Sequence, residues 1–225
     1  MTASSLWPAF LGEVLVSPSK HYLWLRSLSY LEYIGYRKMV KAVPYAEVNR
    51  GVFHHLNDEI QHSFMLRELA EKVFGRSSAE KKALHELIQI AEDYFQGLDS
   101  RIEDWVTEKK GSEDPYLCYL FVSYVIEKRA MQVYPHYFAS LTTSPLKIVV
   151  QKIIKDESEH LAYLEGVMRH LPPLLSPKDS PLFQLEEGCF EDYLGRMNEF
   201  FDRWAEAPVL PLRSKRLASA RNAAR

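Results

Sequence analysis

Cysteine is scarce in this chain: 225 residues hold two, Cys118 and Cys189, and they form no CxxC. That excludes the dense disulfide framework of small secreted domains and makes a reducing cytoplasm the simpler setting. An excess of charge of one sign is also missing. Lys plus Arg number 28 against 30 Asp plus Glu, a net charge of -2, so no global field draws in a polyanion and nucleic acid is not an expected partner. No segment approaches 18 uninterrupted apolar residues, and Met1 to Pro8 lacks the basic stretch and apolar run of a signal peptide. A soluble, cytoplasmic protein with no membrane contact is therefore expected. Sustained apolar/polar alternation between hairpin turns is absent too, which argues against a sheet.

What remains is helical. Hydrophobic residues make up 47% of the chain, enough for one sizeable core, and proline, glycine and serine divide the sequence into long segments of helical periodicity. The first runs from about Pro18 to Val43 and the second from about Ala46 to Phe74, ending at Gly75; they should pair antiparallel. Ser77 and Glu80 have capping-box spacing and open a charged helical crossover to about Lys110. A third main helix follows Asp114-Pro115 to about Leu141, and a fourth runs from Ser144-Pro145 to before Pro172. A fifth is expected from Ser180-Pro181 to Glu206. The fold class is all-α: one domain over residues 1–206, then a basic, solvated tail over 207–225 with Arg213, Lys215, Arg216, Arg221 and Arg225.

One pattern occurs twice. Asp58-Glu59-Ile60-Gln61-His62 and Asp156-Glu157-Ser158-Glu159-His160 are both DExxH, and each follows a glutamate near the middle of the preceding helix, Glu32 and Glu127. Glu and His three positions apart on a helix share a face, so each pair offers an oxygen and a nitrogen to one point. With 21 Glu and 8 His in the chain, chance supplies about 0.75 ExxH matches. All four glutamates interrupt apolar stripes: Glu32 lies among Leu25, Leu28 and Met39, Glu59 among Val52, Leu56 and Leu66, Glu127 among Leu120, Tyr124 and Met131, and Glu157 among Val150, Ile153 and Leu164. Four buried carboxylates with no Lys or Arg on those faces require neutralisation, and two divalent cations with His62 and His160 as neutral ligands would supply it. The candidate metal ligands are therefore Glu32, Glu59, His62, Glu127, Glu157 and His160.

At these residues the chain resembles the ferritin-like di-iron carboxylate superfamily, over about residues 20–170. The resemblance implies a four-helix bundle, with a crossover and an extra C-terminal helix here, holding two iron ions, with manganese allowed at one position. It also implies bridging by one or both motif glutamates, with Asp58 and Asp156 each accepting a hydrogen bond from the ligand histidine of the opposite motif. Left to themselves, these aspartates would be solvated charges. His55 is a further candidate, at i with Glu59 at i+4 and His62 at i+7. A core histidine or a hydrogen bond to Glu59 is the plainer reading. Direct ligation is the sharper one, similar by pseudo-symmetry to di-iron N-oxygenases, whose extra histidine belongs to the second motif, where this chain has Ile153.

The resemblance specifies the metal site better than the reaction. The expected function is an oxidoreductase, an oxygenase or oxidase, that activates O2 to oxidise a small organic or lipid-like substrate with electrons from an external donor, with a homodimer allowed. The alternatives are an iron-handling protein, ferroxidase or storage subunit, and a non-enzymatic metal- or ligand-binding bundle. The missing CxxC argues against a rubrerythrin of the usual type. Small residues near the ligands, Gly35, Ser63, Ser123 and Ala130, leave room for a substrate, and Tyr36, Tyr124, Tyr134 and Tyr163 line such a space or pack the core.

Overall fold

The computed structural model describes residues 3–75, 80–177 and 181–204, and it is helical, with no strand among the described residues. Among the described residues seven α-helices follow one another: α1 (Ala3–Val16), α2 (Pro18–Ala42), α3 (Arg50–Phe74), α4 (Glu80–Lys110), α5 (Pro115–Ser140), α6 (Ser144–Met168) and α7 (Leu182–Arg203). Short 3-10 turns lie at Tyr45–Glu47 and Pro173–Leu175. No described helix is long and apolar enough to cross a membrane.

Local chemistry sets the ends. Ser17 accepts from the Lys20 amide ahead of Pro18, and Asp114 accepts from the Leu117 amide ahead of Pro115, so both helices start on a side-chain cap with proline in the first turn. Helix α3 starts at Arg50, later than the expected Ala46, because residues 45–47 take a 3-10 turn and Asn49 caps the Val52 amide. Gly75 (φ 78°) and Gly111 (φ 80°) follow α3 and α4 in backbone conformations that a side chain would resist. Helix α7 ends at Arg203, short of Glu206, which with Ser77 and the basic tail lies outside the described residues.

Helix α1 was not expected. Pro8 sits inside it, and its apolar stripe is only about two turns long. Its buried Trp7, Phe10, Leu11 and Val14 nevertheless extend the core. Trp7 meets Trp24 of α2 and Phe190 of α7, and Phe10 meets Phe201.

Four helices close a ring: α2 packs on α3, α3 on α6, α6 on α5, and α5 on α2. Ring neighbours run antiparallel, as reciprocal contacts such as Ser29 with Ser63, Arg26 with Glu71, and the two His–Asp pairs between α3 and α6 require. The 31-residue α4 spans about 46 Å and lies along α2 and α5, so α5 starts at the end where α3 started. Its buried Leu87, Ile90, Ala91, Tyr94, Leu98, Ile102 and Trp105 supply one apolar stripe. Helix α7 covers α4, with α1 beside it.

A buried ion pair ties this outer layer to the ring. Arg129 of α5 donates from Nε to both carboxylate oxygens of Glu186 of α7, at 2.9 and 3.1 Å, and lies 4.2 Å from the centre of the Phe190 ring. Tyr94 of α4 donates to the same carboxylate at 2.8 Å. Replacing Arg129 by Met leaves the Glu186 charge buried with only Tyr94 as donor, so Arg129→Met should lower stability by about 3–5 kcal/mol. The double variant Arg129→Met with Glu186→Leu should recover most of that loss, and urea denaturation of the three proteins checks both values.

Candidate metal centre

The ring brings side chains from four helices to one depth in the bundle. Helix α2 contributes Glu32, α3 contributes His55, Glu59 and His62, α5 contributes Glu127, and α6 contributes Glu157 and His160. They form two groups that could each hold a metal ion, His55–Glu59–Glu127–His160 and Glu32–Glu59–His62–Glu157, with the candidate ligand atoms of each group within 4.8 Å of one another. Glu59 belongs to both. All are buried except Glu32, which is half-buried.

Each motif histidine is held from behind by the opposite motif's aspartate. His62 Nε2 lies 3.0 Å from Asp156 Oδ2, and His160 Nε2 lies 3.3 Å from Asp58 Oδ2. That leaves both Nδ1 atoms facing the carboxylates. His160 Nδ1 is 2.8 Å from Glu157 Oε2 and 3.5 Å from Glu127 Oε1. His62 Nδ1 is 3.0 Å from Glu157 Oε1 and 3.8 Å from Glu32 Oε2, yet it is buried with no hydrogen-bond partner. A nitrogen close to two carboxylates but aligned with neither is an arrangement that a cation seated between them would complete. The residues present therefore fit a metal.

His55 stands inside the cluster. Its Nε2 is 2.7 Å from Glu127 Oε1 and 3.2 Å from Glu59 Oε1, and its ring stacks on that of His160 at 4.1 Å between centres. The two groups are thus unequal: one has two imidazoles and two carboxylates, the other one imidazole and three carboxylates.

Protons carry the positive charge that cations would otherwise bring. Burial works against a charged imidazole, but the carboxylates of Glu127 and Glu59 outweigh it and raise His55 to about 9. By the same balance, Glu157 and Glu32 raise His62 to about 12, and Glu127 and Glu157 raise His160 to about 11. Burial first, then the Glu32 charge, push Glu59 up to about 8. Glu127 moves the other way: burial opposes its charge, but His160 and His55 hold its carboxyl well below the usual range. The shifts on the three imidazoles and on Glu59 run in the direction that places protons, and so positive charge, among the carboxylates.

Two cavities reach the cluster. The wider, about 300 Å³, has His55, Glu59 and Glu127 among its lining residues. The narrower, about 80 Å³, touches Glu32, Glu59, Glu127 and Glu157 beneath aromatic residues of α2, α4, α5 and α7. Gly35 lines both, and a Cβ there would come within 3.0 Å of Glu59 Oε2.

Of the residues expected beside the ligands, Ser123 lines the wider cavity and Ala130 and Tyr134 the narrower. Ser63 lines neither; its hydroxyl donates to the Ser29 carbonyl at 2.7 Å and ties α3 to α2. Tyr36, Tyr124 and Tyr163 also line neither. Tyr163 packs on Gly51 and donates to Asn49, and Tyr124 meets Phe183 edge-on. Two contacts escaped the sequence reading. Tyr134 donates to Glu32, and Lys152 pairs with Asp156 one turn away on α6, an i,i+4 spacing that could have been read. Arg129 is buried and reaches the wall of the narrower cavity, but it sits two positions past Glu127, about 200° around the helix and so off the glutamate's face, and its guanidinium serves Glu186.

Comparison with protein-family models, with curated proteins and with solved structures found no match.

Two outcomes are expected. The folded metal-free chain binds more protons than the unfolded one wherever these pKa values are raised, so its stability should fall as pH rises from 6.5, the ordinary histidine value, to about 9. Glu59, raised from 4.5 to about 8, acts with the same sign. Urea midpoints in chelator at both ends of that window check it. Gly35→Ala should raise helix stability by up to about 1 kcal/mol while weakening metal binding, because its Cβ crowds the Glu59 carboxylate. Thermal melting and metal titration on one sample should therefore move in opposite senses.

Proposed function

We propose that the chain is a ferritin-like di-iron oxidoreductase that activates O2 to oxidise or oxygenate a small organic or lipid-like substrate. The observation that carries the reading is the pair of buried ligand groups sharing the Glu59 carboxylate. In this reading Glu32, Glu59, His62 and Glu157 hold one ion. His55, Glu59, Glu127 and His160 hold the other, with His55 as a seventh ligand. Asp58 and Asp156 fix the ligand imidazoles from behind. The group richer in carboxylate suits manganese as well as iron, and the one with two imidazoles suits iron.

Bound iron supplies the redox chemistry with O2 that no side chain here can perform. The chain's own residues neutralise and orient. Four carboxylates balance the cations' charge, Tyr134 holds Glu32 by a donated hydrogen bond, and the narrower cavity sets apolar walls against the carboxylate-rich group. Electrons come from an external donor. The wider cavity supports an organic substrate over iron storage, because a storage subunit needs no organic-sized space beside its metals.

Anaerobic reconstitution with ferrous iron should load about two ions per chain and release protons at neutral pH. Elemental analysis and calorimetry in two buffers measure these. Glu59→Ala or Glu157→Ala should lower occupancy more than Glu165→Ala, and His55→Ala should weaken one position more than the other. Iron-dependent O2 uptake with a reductant supports the oxygenase reading. A large shell retaining hundreds of irons would replace it with storage, and no metal after reconstitution would end both.

A further inference from the structure

The outer layer of α4, α7 and α1 covers α2 and α5, while α3 and α6 keep one side in solvent. On α6 the exposed residues from Gln151 to Glu159 are polar. On α3 the exposed side carries Phe53, Ile60 and Phe64, at i, i+7 and i+11 and within about 40° of one another around the helix. Tyr33 and Val40 of α2 widen this strip. They stand at i+4 and i+11 from Ser29, whose hydroxyl donates to the Ser63 carbonyl, so they lie on the α3 side of their helix. Because the two helices are antiparallel, that bond sets Tyr33 level with Glu59 and Val40 level with Val52. The five side chains are 37–65% exposed, which leaves roughly 500 Å² of apolar residue in water, toward the upper end of the largest patch on a monomer.

The strip is complementary to itself. Phe53 and Phe64 lie about 16 Å apart along α3, on either side of a midpoint at Asp58 and Glu59. Arg50 and Glu68 are 18 positions apart, about five whole turns, so they share one edge of the strip, and their midpoint is Glu59. A two-fold axis crossing α3 at that level sets Phe53 of one copy against Phe64 of the other, and Arg50 against Glu68, each pair occurring twice. Tyr33, level with Glu59, comes close to the axis. Arg50 is exposed and donates from Nε to His54, and the partly exposed Glu68 meets Lys72 at 2.8 Å, so both have hydrogen-bonding capacity left for a second contact.

The area agrees. A standard interface takes about 800 Å² from each copy, and about two thirds of a homodimer interface is apolar, the proportion this strip and its polar rim supply. An anionic lipid surface fits less well, because Glu68 and Glu71 stand on the same side of α3.

We propose that the α2–α3 face is the contact between two copies of this chain, an isologous dimer in which α3 packs antiparallel on its counterpart. The proposal stands independently of the di-iron reading.

Sedimentation velocity on the full chain, metal-free and iron-loaded, should show at micromolar concentration a species of twice the 26.2 kDa chain mass. Phe53→Glu with Phe64→Glu should raise the dimer Kd about a hundredfold or more, with helical circular dichroism and metal content unchanged. Ile148→Glu, at an exposed apolar position of α6, should leave the dimer intact. Arg50→Glu should weaken the dimer about tenfold at low salt, and adding Glu68→Arg should restore it. A chain that is monomeric in both metal states overturns the proposal, as does a dimer that survives the double phenylalanine variant. An Arg50→Glu dimer that is not weakened, or not rescued by Glu68→Arg, overturns the antiparallel pairing. Capture of a monomer by anionic vesicles, lost in the double phenylalanine variant, assigns the face to a lipid surface and overturns the dimer.

Discussion

Four carboxylates and three imidazoles held in the middle of a helical bundle are the constraint on which the rest of the structure depends. Each charge taken out of water costs several kcal/mol unless something nearby compensates it. Here the groups compensate one another through shared protons, and the antiparallel ring places the compensating partners on different helices. Asp58 and Asp156 show this best, because each steadies the histidine of the other half. Protons and cations compete for one set of atoms, so folding, pH and metal uptake are linked through the same residues.

The molecule contains a second buried charge system that is solved differently. Arg129 neutralises Glu186 with a fixed cation, and Tyr94 completes the carboxylate. An arginine cannot be exchanged, so this pair can only fasten α4, α5 and α7 together. The ligand cluster has no such permanent cation. Its positive charge is the exchangeable kind, which is what a metal centre requires and a structural ion pair does not.

The all-helical class and the convergence of the DExxH residues were legible because both depend on spacing along single helices and on proline and glycine at their ends. What was hidden depends on contacts between distant segments. Helix α1 has a proline inside it and a stripe, Trp7, Phe10, Leu11 and Val14, of only about two turns, so it was easily passed over. Arg129 and Glu186 lie 57 positions apart and belong together only once α7 has docked. His55 was half legible. Its helical face was readable, but its 2.7 Å approach to Glu127 on another helix was not.

His55 also breaks the symmetry of the two halves. Both carry the same motif, and a true repeat would present two equal metal positions. Four residues before Glu59 stands an imidazole, whereas four before Glu157 stands Ile153, fully buried. This difference between the halves gives one group a second imidazole, where the corresponding position of the other half is an apolar core residue. The wider cavity meets the nitrogen-rich group, while the carboxylate-rich group faces the narrow aromatic one. A ligand arriving through the wider cavity therefore meets the His55 side first, and the two groups differ both in their donor atoms and in what can reach them.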